Sequence, residues 1–314
     1  MTSGPVAAGS PPAAAADRAP LSATALRGAL VRPGAIWRDV RVVAQTGSTN
    51  TDLLAAARDG APQGLVLAAE SQTAGRGRMG RRWLSPPRAA LTFSVLLRPG
   101  GVPPGSKGWV PLLVGVAVAA ALRAEAGVDA RLKWPNDVLV GGAKVAGILA
   151  EQSGDAIVVG AGINVSGRRA ELPAAGTTSL AMAGGGCTER EQLFVSVLAE
   201  LERWYLAWLG TAGPQPAAGS EFASRAAAGA WPAVAVAGPA RRDAAGTGPD
   251  PDACGLRPAY RRLSATLGQP VRVALPGGQG LTGTAQDIDE SGRLVILAAS
   301  GLVAVSAGDV VHLR

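Results

Sequence analysis

Hydrophobic and polar positions change period several times along the chain, and each change predicts an element. RVVAQ (Arg41 to Gln45) and GLVLAAE (Gly64 to Glu70) are short apolar runs of the kind that form strands. Between them, TGSTNTDLLAAARDG predicts a helix that Thr49 and Asp52 open as a capping-box-like pair and Gly60 ends. ALTFSVLL (Ala90 to Leu97) alternates with period two, as a strand with two different faces does. Trp109 to Ala126 reads as a mostly apolar helix, and ARLKW, DVLV and AKVAGILAE follow it as three short strand candidates. A fourth, DAIVVGAGINV, closes at Asn164 and Val165. From Glu189 to Leu209 the helical period returns, with Leu193, Val197, Leu201, Tyr205 and Trp208 along one side.

The pattern then breaks. From Thr211 to about Pro258 the chain is rich in Ala, Gly and Pro, which predicts a flexible insertion or linker over 211–257. Beyond it, PVRVALPG, LTGTAQDID, RLVILA, GLVAVSA and VVHLR are short alternating strands between glycine-rich turns, which predicts a small β-barrel over 258–314. Residues 1–35 are Ala, Pro, Gly and Ser with little to pack and are expected to be a disordered tail. The expected body is therefore 36–210, a mixed α/β unit.

Composition narrows the class. A chain of 314 residues with 47% hydrophobic positions can bury a substantial core. No basic-then-apolar leader is visible at the start, and the apolar run Val110 to Leu122 is shorter than the roughly 20 residues of a bilayer span, so a soluble protein is expected. Cys187 and Cys254 match neither a disulfide framework nor a metal motif, which suits a reducing cytoplasm. The single histidine, His312, leaves no Ser/His/Asp or Cys/His triad.

Net charge is +7, and its distribution says more than its total. From Ser71 to Ala124 there is no acidic residue, while Arg76, Arg78, Arg81, Arg82, Arg88, Arg98, Lys107 and Arg123 all fall inside that stretch. One anion-binding surface is the expectation. Lysine is scarce, with only Lys107, Lys133 and Lys144, so each is a candidate for work that needs a compact point charge.

Within the acid-free stretch lies AGRGRMGRRW, Ala74 to Trp83, whose Gly75, Gly77 and Gly80 spell the dinucleotide spacing GxGxxG. That fingerprint needs a helix directly after the glycines, and RRWLSPPR does not open one. A Walker loop fails too, for want of Gly-Lys-Ser/Thr. What remains is a basic glycine-rich loop, either a clamp for phosphate or carboxylate or a solvated loop with no ligand.

A second cluster is KWPNDVLVGGAKVAGIL. Pro135 and Asn136 predict a bend with Lys133 and Asp137 on its two sides, and Gly141-Gly142 predicts a hairpin with a two-residue primed turn. That register sets Val140 against Ala143 and Leu139 against Lys144, so Lys144 and Asp137 are diagonal neighbours about 7 Å apart on one face. A slip of one residue would part them.

AESQTAGRGRMGRRWLSP, with GSTN before it and KWPNDV, KVAGILAE and GAGINV after it, in that order, resembles the biotin protein ligases. The resemblance covers roughly Val42 to Leu209, and the terminal strands resemble the family's small C-terminal domain. It implies an α+β fold with a mixed sheet and helices, similar to class II aminoacyl-tRNA synthetases, plus a C-terminal SH3-like β-barrel. It also implies a two-step reaction: ATP and biotin give biotinyl-5′-AMP and pyrophosphate, and a lysine of a biotin carboxyl carrier domain of an acyl-CoA carboxylase then takes the biotinyl group. Mg²⁺ is expected with the ATP, although no acidic cluster fixes its ligands.

The resemblance further implies a biotin pocket of Ser48, Thr49, Asn50, Gln72, Arg76, Gly77, Arg78 and Lys144. On the nucleotide side it implies Arg78, Arg81, Trp83, Lys133, Asn136 and Asn164. Arg78, Lys144, Asp137 and Lys133 are the expected catalytic set. A lysine of pKa near 10.4 is neutral only about once in 2,500 at pH 7, a handicap of roughly 4.6 kcal/mol, so Asp137 is a candidate base or orienting group for the acceptor amine. Bland roles stand beside these: Thr49 as a helix cap, Trp83 as a loop anchor, Asp137 as a turn residue. Met79 stands where many members carry another Arg, and nothing here resembles the winged helix of the repressor members, so no specific DNA binding and no membrane are expected, while a homodimer stays open. A lipoate or octanoate ligase of the same body fold and a basic nucleic-acid-binding protein are the alternatives.

Overall fold

A computed structural model of the chain describes residues 18–172, 175–210, 248–275 and 280–313. The order of elements is α1 (Ala23–Leu30), β1 (Asp39–Val43), α2 (Thr49–Arg58), β2 (Leu65–Ala69), β3 (Ala90–Leu97), α3 (Trp109–Ala126), β4 (Ala130–Lys133), β5 (Asp137–Val140), β6 (Ala143–Ser153), β7 (Ala156–Asn164) and α4 (Arg190–Leu209), then α5 (Leu256–Leu263) and β8 to β12. Strands β1 to β7 form one mixed sheet in the order β1-β2-β3-β7-β6-β5-β4, parallel only between β1 and β2.

The sheet has two unlike faces because its strands alternate. On β3, Leu91, Phe93, Val95 and Leu97 point to a core shared with α3 and α4, where Leu193, Phe194, Val197, Leu201 and Trp208 are also buried. Each of these side chains contributes roughly 1.5–3 kcal/mol of burial. The opposite face carries α2 at one end, with Leu53, Leu54, Leu67, Leu96 and Val158 in a smaller cluster, and leaves the other end uncovered. The segment Pro104–Ala126 is by length and composition long and apolar enough to cross a bilayer, but most of it is buried inside this fold. It is longer than the apolar run Val110 to Leu122 because a helical turn over Pro104–Gly108 and Trp109 precede that run and Arg123–Ala126 continue the helix after it.

The β4–β7 hairpins form as their turn chemistry predicts. Gly141 and Gly142 have φ of 57° and 78°, the paired left-handed backbone that a primed turn requires. Val140 faces Ala143 and Leu139 faces Lys144, as expected, and a bulge then sets Val138 against Ala146 and Asp137 against Gly147. Lys133 pairs with Asp137 across the bend that holds Trp134, Pro135 and Asn136, and the Trp134–Pro135 bond is cis.

β8 (Pro270–Ala274), β9 (Gly280–Ile288), β10 (Leu294–Ala298), β11 (Gly301–Val305) and β12 (Asp309–His312) form the predicted all-β unit, antiparallel in the order β11-β10-β9-β8-β12. It is seated firmly on the body. Trp109 Nε1 donates to Glu290 O at 2.9 Å, Trp134 Nε1 donates to Gly292 O at 3.3 Å, and α5 packs on α3.

Three expectations need correction. The tail expected over 1–35 is folded from residue 18: Ser22 caps α1, Leu26 and Leu30 are buried, and Leu21 N donates to Glu70 Oε1 at 2.6 Å. Composition misleads there because two leucines four apart suffice to dock so short a helix. The linker expected over 211–257 ends sooner, since 248–255 form turns with Cys254 buried and α5 begins at Leu256. Residues 1–17 and 211–247 lie outside the described residues. Finally, Thr49 does not cap α2; Ser48 holds that position without a side-chain cap bond, and the Thr49 hydroxyl turns to Gln72 and Ser94.

Candidate active site

The uncovered end of the sheet becomes a cavity of about 420 Å³, within the usual range for small-molecule sites. Its floor is β3, β6 and β7, one wall is the 133–137 bend, and its roof is the 74–84 loop with the start of β12. Ser48, Thr49, Asn50, Gln72, Arg76, Gly77, Arg78, Arg81, Trp83, Lys133, Asn136, Asp137, Lys144 and Asn164 all line it, so every predicted site residue is brought to one place.

The roof is a small hairpin and not a dinucleotide turn. Gly77 N donates to Arg81 O at 2.7 Å, Trp83 N donates to Gly75 O at 2.9 Å, and Arg76 bridges Arg82. At its tip Met79 and Gly80 have φ of 55° and 72°, so Met79 holds a backbone conformation uncommon outside glycine, with its side chain 61% exposed. The guanidiniums fan out. Arg76 pairs with Glu151 at 2.9 Å, Arg78 donates to Asn136 Oδ1 at 3.1 Å, and Arg81 grips both Asp309 oxygens at 2.6 and 2.7 Å. Partial burial lowers the pKa of Arg78 from the usual guanidinium value, against the opposing pull of Asp309 and Asp137, so a half-buried cation sits in the roof.

The floor holds a chain of neutral hydrogen bonds. Thr49 N donates to Gln72 Oε1 at 2.8 Å, Thr49 Oγ1 lies 2.7 Å from Ser94 Oγ, and Ser94 donates to Asn50 Oδ1 at 2.6 Å. Asn50 Nδ2 in turn donates to Glu151 Oε2 at 2.9 Å, and Glu151 also holds Arg76. All are neutral groups except the Glu151–Arg76 end. Asn164 spends its amide on Thr178 O at 3.0 Å and so ties the 177–180 segment to the floor.

At the wall, Lys144 Nζ is 2.7 Å from Asp137 Oδ1, so the two diagonal neighbours are joined by an ion pair. Lys144 also lies 5.9 Å from the Trp83 ring. Asn136 donates to Ile148 O at 3.2 Å, which fixes the bend against β6. Among the described residues no three His, Cys, Asp or Glu side chains cluster as metal ligands, and Asp137 and Asp309 each already face a cation. The described residues of the site thus offer no ready-made protein cage for a divalent cation.

The sequence matches the model of the Biotin/lipoate A/B protein ligase family over residues 42–167 and that of the Biotin protein ligase C terminal domain over 266–313. It is 42% identical over 301 residues to the biotin--[acetyl-CoA-carboxylase] ligase of Mycobacterium tuberculosis, covering 95% of this chain and 97% of that one. The chain belongs to the biotin protein ligase family. A second family member, the biotin--[acetyl-CoA-carboxylase] ligase of Paracoccus denitrificans, is 30% identical over 281 residues, which is 86% of this chain and 98% of that one. Among solved structures, the Aquifex aeolicus biotin protein ligase in complex with biotin and ATP aligns with a TM-score of 0.65 at 25% identity, over 88% of this chain and all of that one.

Set against that family, two things in the site escaped sequence reasoning. The acid-free stretch does not build one anionic-ligand surface: Arg98 pairs with Asp155 near the end of α2, Arg123 pairs with Asp129, and Arg88 donates to Arg18 O. Only its loop arginines reach the cavity. Conversely Thr92, Ser94, Gly147, Gly160, Gly162, Asp309 and Val310 belong to the site or its supports without having been singled out. Thr92 and Ser94 were visible as the polar half of the ALTFSVLL alternation; Asp309, more than two hundred residues from Arg81, left no local signal.

Proposed function

We propose that this ligase activates biotin with ATP and passes it to a lysine of a biotin carboxyl carrier domain of an acyl-CoA carboxylase, with the residue roles that follow. The observation that carries the reading is the convergence of three segments far apart in sequence, Ser48–Asn50, the Arg76–Trp83 loop and Lys133–Lys144, on one cavity of ligand size.

In the first step a biotin carboxylate oxygen attacks the α-phosphorus of ATP, and the bond to the β-phosphate oxygen breaks to release pyrophosphate. Two anions must meet, so positioned cations supply most of the catalysis. Arg78 and Lys144 flank the reacting centre, Lys133 and Arg81 face the phosphates, and Asn136 holds Arg78 in place. Ser48, Thr49, Asn50 and Gln72 present the polar floor to the biotin ring system. Mg²⁺ would come in on the nucleotide phosphates and neutralise their charge.

In the second step the acceptor amine attacks the acyl carbon, AMP leaves, and a proton must be removed. Asp137 is the carboxylate beside that point. Held by Lys144 at 2.7 Å, it is an orienting group that a second ammonium, the incoming lysine, can share, and it accepts the proton as the amide forms. The mixed anhydride is hydrolysed easily, so the loop over the cavity also serves to exclude water until the carrier arrives. A cytoplasmic location fits an enzyme that draws on ATP and acyl-CoA carboxylases.

The test is labelling of a purified carrier domain with biotin and ATP, with lipoate and ATP in parallel. Transfer of biotin to one carrier lysine with release of pyrophosphate is the expected result. Labelling by lipoate alone, or none in either arm, overturns the reading.

A further inference from the structure

We propose that Gly147 and Gly162 are positioning residues: two facing glycines form a seat for the Trp83 indole, and that seat decides whether the arginine loop lies down over the cavity.

The glycines are direct partners across β6 and β7, and Gly162 is in turn the partner of Thr92 on β3, while Gly147 is the partner of Asp137 on β5. A row of four residues, Asp137, Gly147, Gly162 and Thr92, thus crosses the cavity floor with no side chain at its two middle positions. Neither glycine has the left-handed backbone that would call for glycine on conformational grounds. The reason is steric. A Cβ on Gly162 would lie 2.3 Å from Trp83 Cε2, 2.5 Å from Cζ2 and 2.8 Å from Nε1. A Cβ on Gly147 would lie 3.3 Å from Trp83 Cζ3 and 3.0 Å from Lys144 Nζ.

The indole is therefore pressed onto bare backbone. Its Nε1 is buried and makes no hydrogen bond, so the contact is one of shape and not of polar recognition. β7 is hydrogen-bonded on both sides, to β3 and β6, and has no room to retreat. Any side chain added at Gly162 must displace the tryptophan. Trp83 closes the base of the loop hairpin through its N–H to Gly75 O, so a displaced indole carries with it the strand pair that holds Arg76 and Arg78.

The seat itself does not depend on what the site binds, but its consequence for chemistry rests on the ligase reading, and the two are tested separately. The first arm uses ligand-free full-length protein and trypsin, which cuts after arginine. Gly162→Ala is expected to raise the rate of cutting at Arg76, Arg78, Arg81 and Arg82 by about tenfold, by populating the raised loop. Trp83→Ala is expected to do the same, and adding Gly162→Ala to Trp83→Ala is expected to add nothing, because the two act through one contact. Trp83→Phe in the Gly162→Ala chain, with a smaller ring, is expected to recover part of the protection. If Gly162→Ala unfolds the chain, Trp83→Ala restores folding when the clash is the cause, and fails to when it is not. Unchanged cutting in Gly162→Ala, or additive effects in the double variant, overturns the seat.

The second arm measures biotinyl-AMP appearing in solution per carrier labelled. Gly162→Ala is expected to raise that ratio about tenfold through loss of loop cover. A normal ratio with a trypsin-sensitive loop overturns the role of the seat in retaining the adenylate while leaving the seat in place. Absence of any adenylate from the wild-type chain overturns the ligase reading instead.

Discussion

The two faces of the seven-stranded sheet are made by the same strands and yet differ in almost every property. Odd-numbered positions of β3 and β7, such as Phe93, Val95, Val159, Ala161 and Ile163, are packed among the side chains of α3 and α4. On the other face, even-numbered Leu96 and Val158 pack under α2, while Thr92, Gly160, Gly162 and Asn164 line the cavity with Ser94 beneath it, and these carry either a polar group or nothing. The comparison teaches that stability and chemistry are separated here by the pleat, a distance of one residue. It also teaches that the chemical face is built as much by removal as by addition: where a ligand and a tryptophan must come close, the strands supply bare backbone.

Substitutions that test this division differ widely in size. The largest effect belongs to Lys144→Ala, expected to lower carrier labelling by about a thousandfold, some 4 kcal/mol of transition-state stabilisation, with a nearly unchanged melting temperature because its ion pair is partly exposed. A loss below tenfold in single-turnover labelling would remove Lys144 from the chemistry. On the opposite face, Phe93→Ala is expected to cost about 3–4 kcal/mol in urea unfolding while leaving labelling per folded molecule intact. A fall in specific activity there would show that the faces are not separable.

Ser94→Ala is smaller than either and touches both properties. It leaves Asn50 Oδ1 and Thr49 Oγ1 short of a partner in a buried place, so it is expected to cost about 1–2 kcal/mol of stability and to raise the KM for biotin several-fold. Asp309→Asn is milder, since its pair with Arg81 is largely solvent-exposed. An increase of about threefold in the KM for ATP, vanishing in 0.5 M salt, is the expected reading of initial rates.

The smallest effect concerns pH. Burial and the nearby Lys133 charge hold His312 below the ordinary imidazole value of 6.5, and its Nε2 lies 3.2 Å from Thr266 Oγ1. In the unfolded chain the imidazole takes up a proton first as pH falls, so this group's contribution is complete above 6.5 and is lost on acidification below it. Melting curves between pH 7 and 5 are expected to flatten slightly in His312→Gln; an unchanged slope would remove His312 as a contributor.

Much of this division was legible in the sequence, and what was not has a physical reason. The hairpin from Asp137 to Gly147 could be registered residue by residue because Gly141-Gly142 fixes its turn and one buried face fixes its pleat. Only the bulge at Val145 was missed, and nothing in KVAG announces it. The helix over Trp109 to Ala126 was visible because every turn of it is apolar. The parallel pairing of β1 with β2 was not visible, since it depends on how α2 crosses the sheet. The loop arginines could be assigned to the site from their motif, but their partners Glu151, Asn136 and Asp309 come from β6, the bend and β12, and long-range pairs leave no local pattern. The seat glycines sat in plain view in GAGIN and KVAGIL, where an absent side chain is easily taken for a weak strand position.

The ordered N-terminal segment bears on how the chain can be cut and joined. Arg190 pairs with Glu70 at 2.6 Å beneath it and donates to Ala19 O, while Arg32 at the segment's far end reaches the buried Glu202, which also accepts from Ile36 N. The two carboxylates are satisfied partly by the segment before β1, so a shortened protein that starts at Asp39 keeps every strand of the sheet and still leaves Glu202 without Arg32 and Ile36 N, and Glu70 without Leu21 N. Uncompensated buried charge of that kind is costly. A fusion partner or affinity tag therefore belongs before Arg18, where it adds to the chain without taking a counter-ion from the fold.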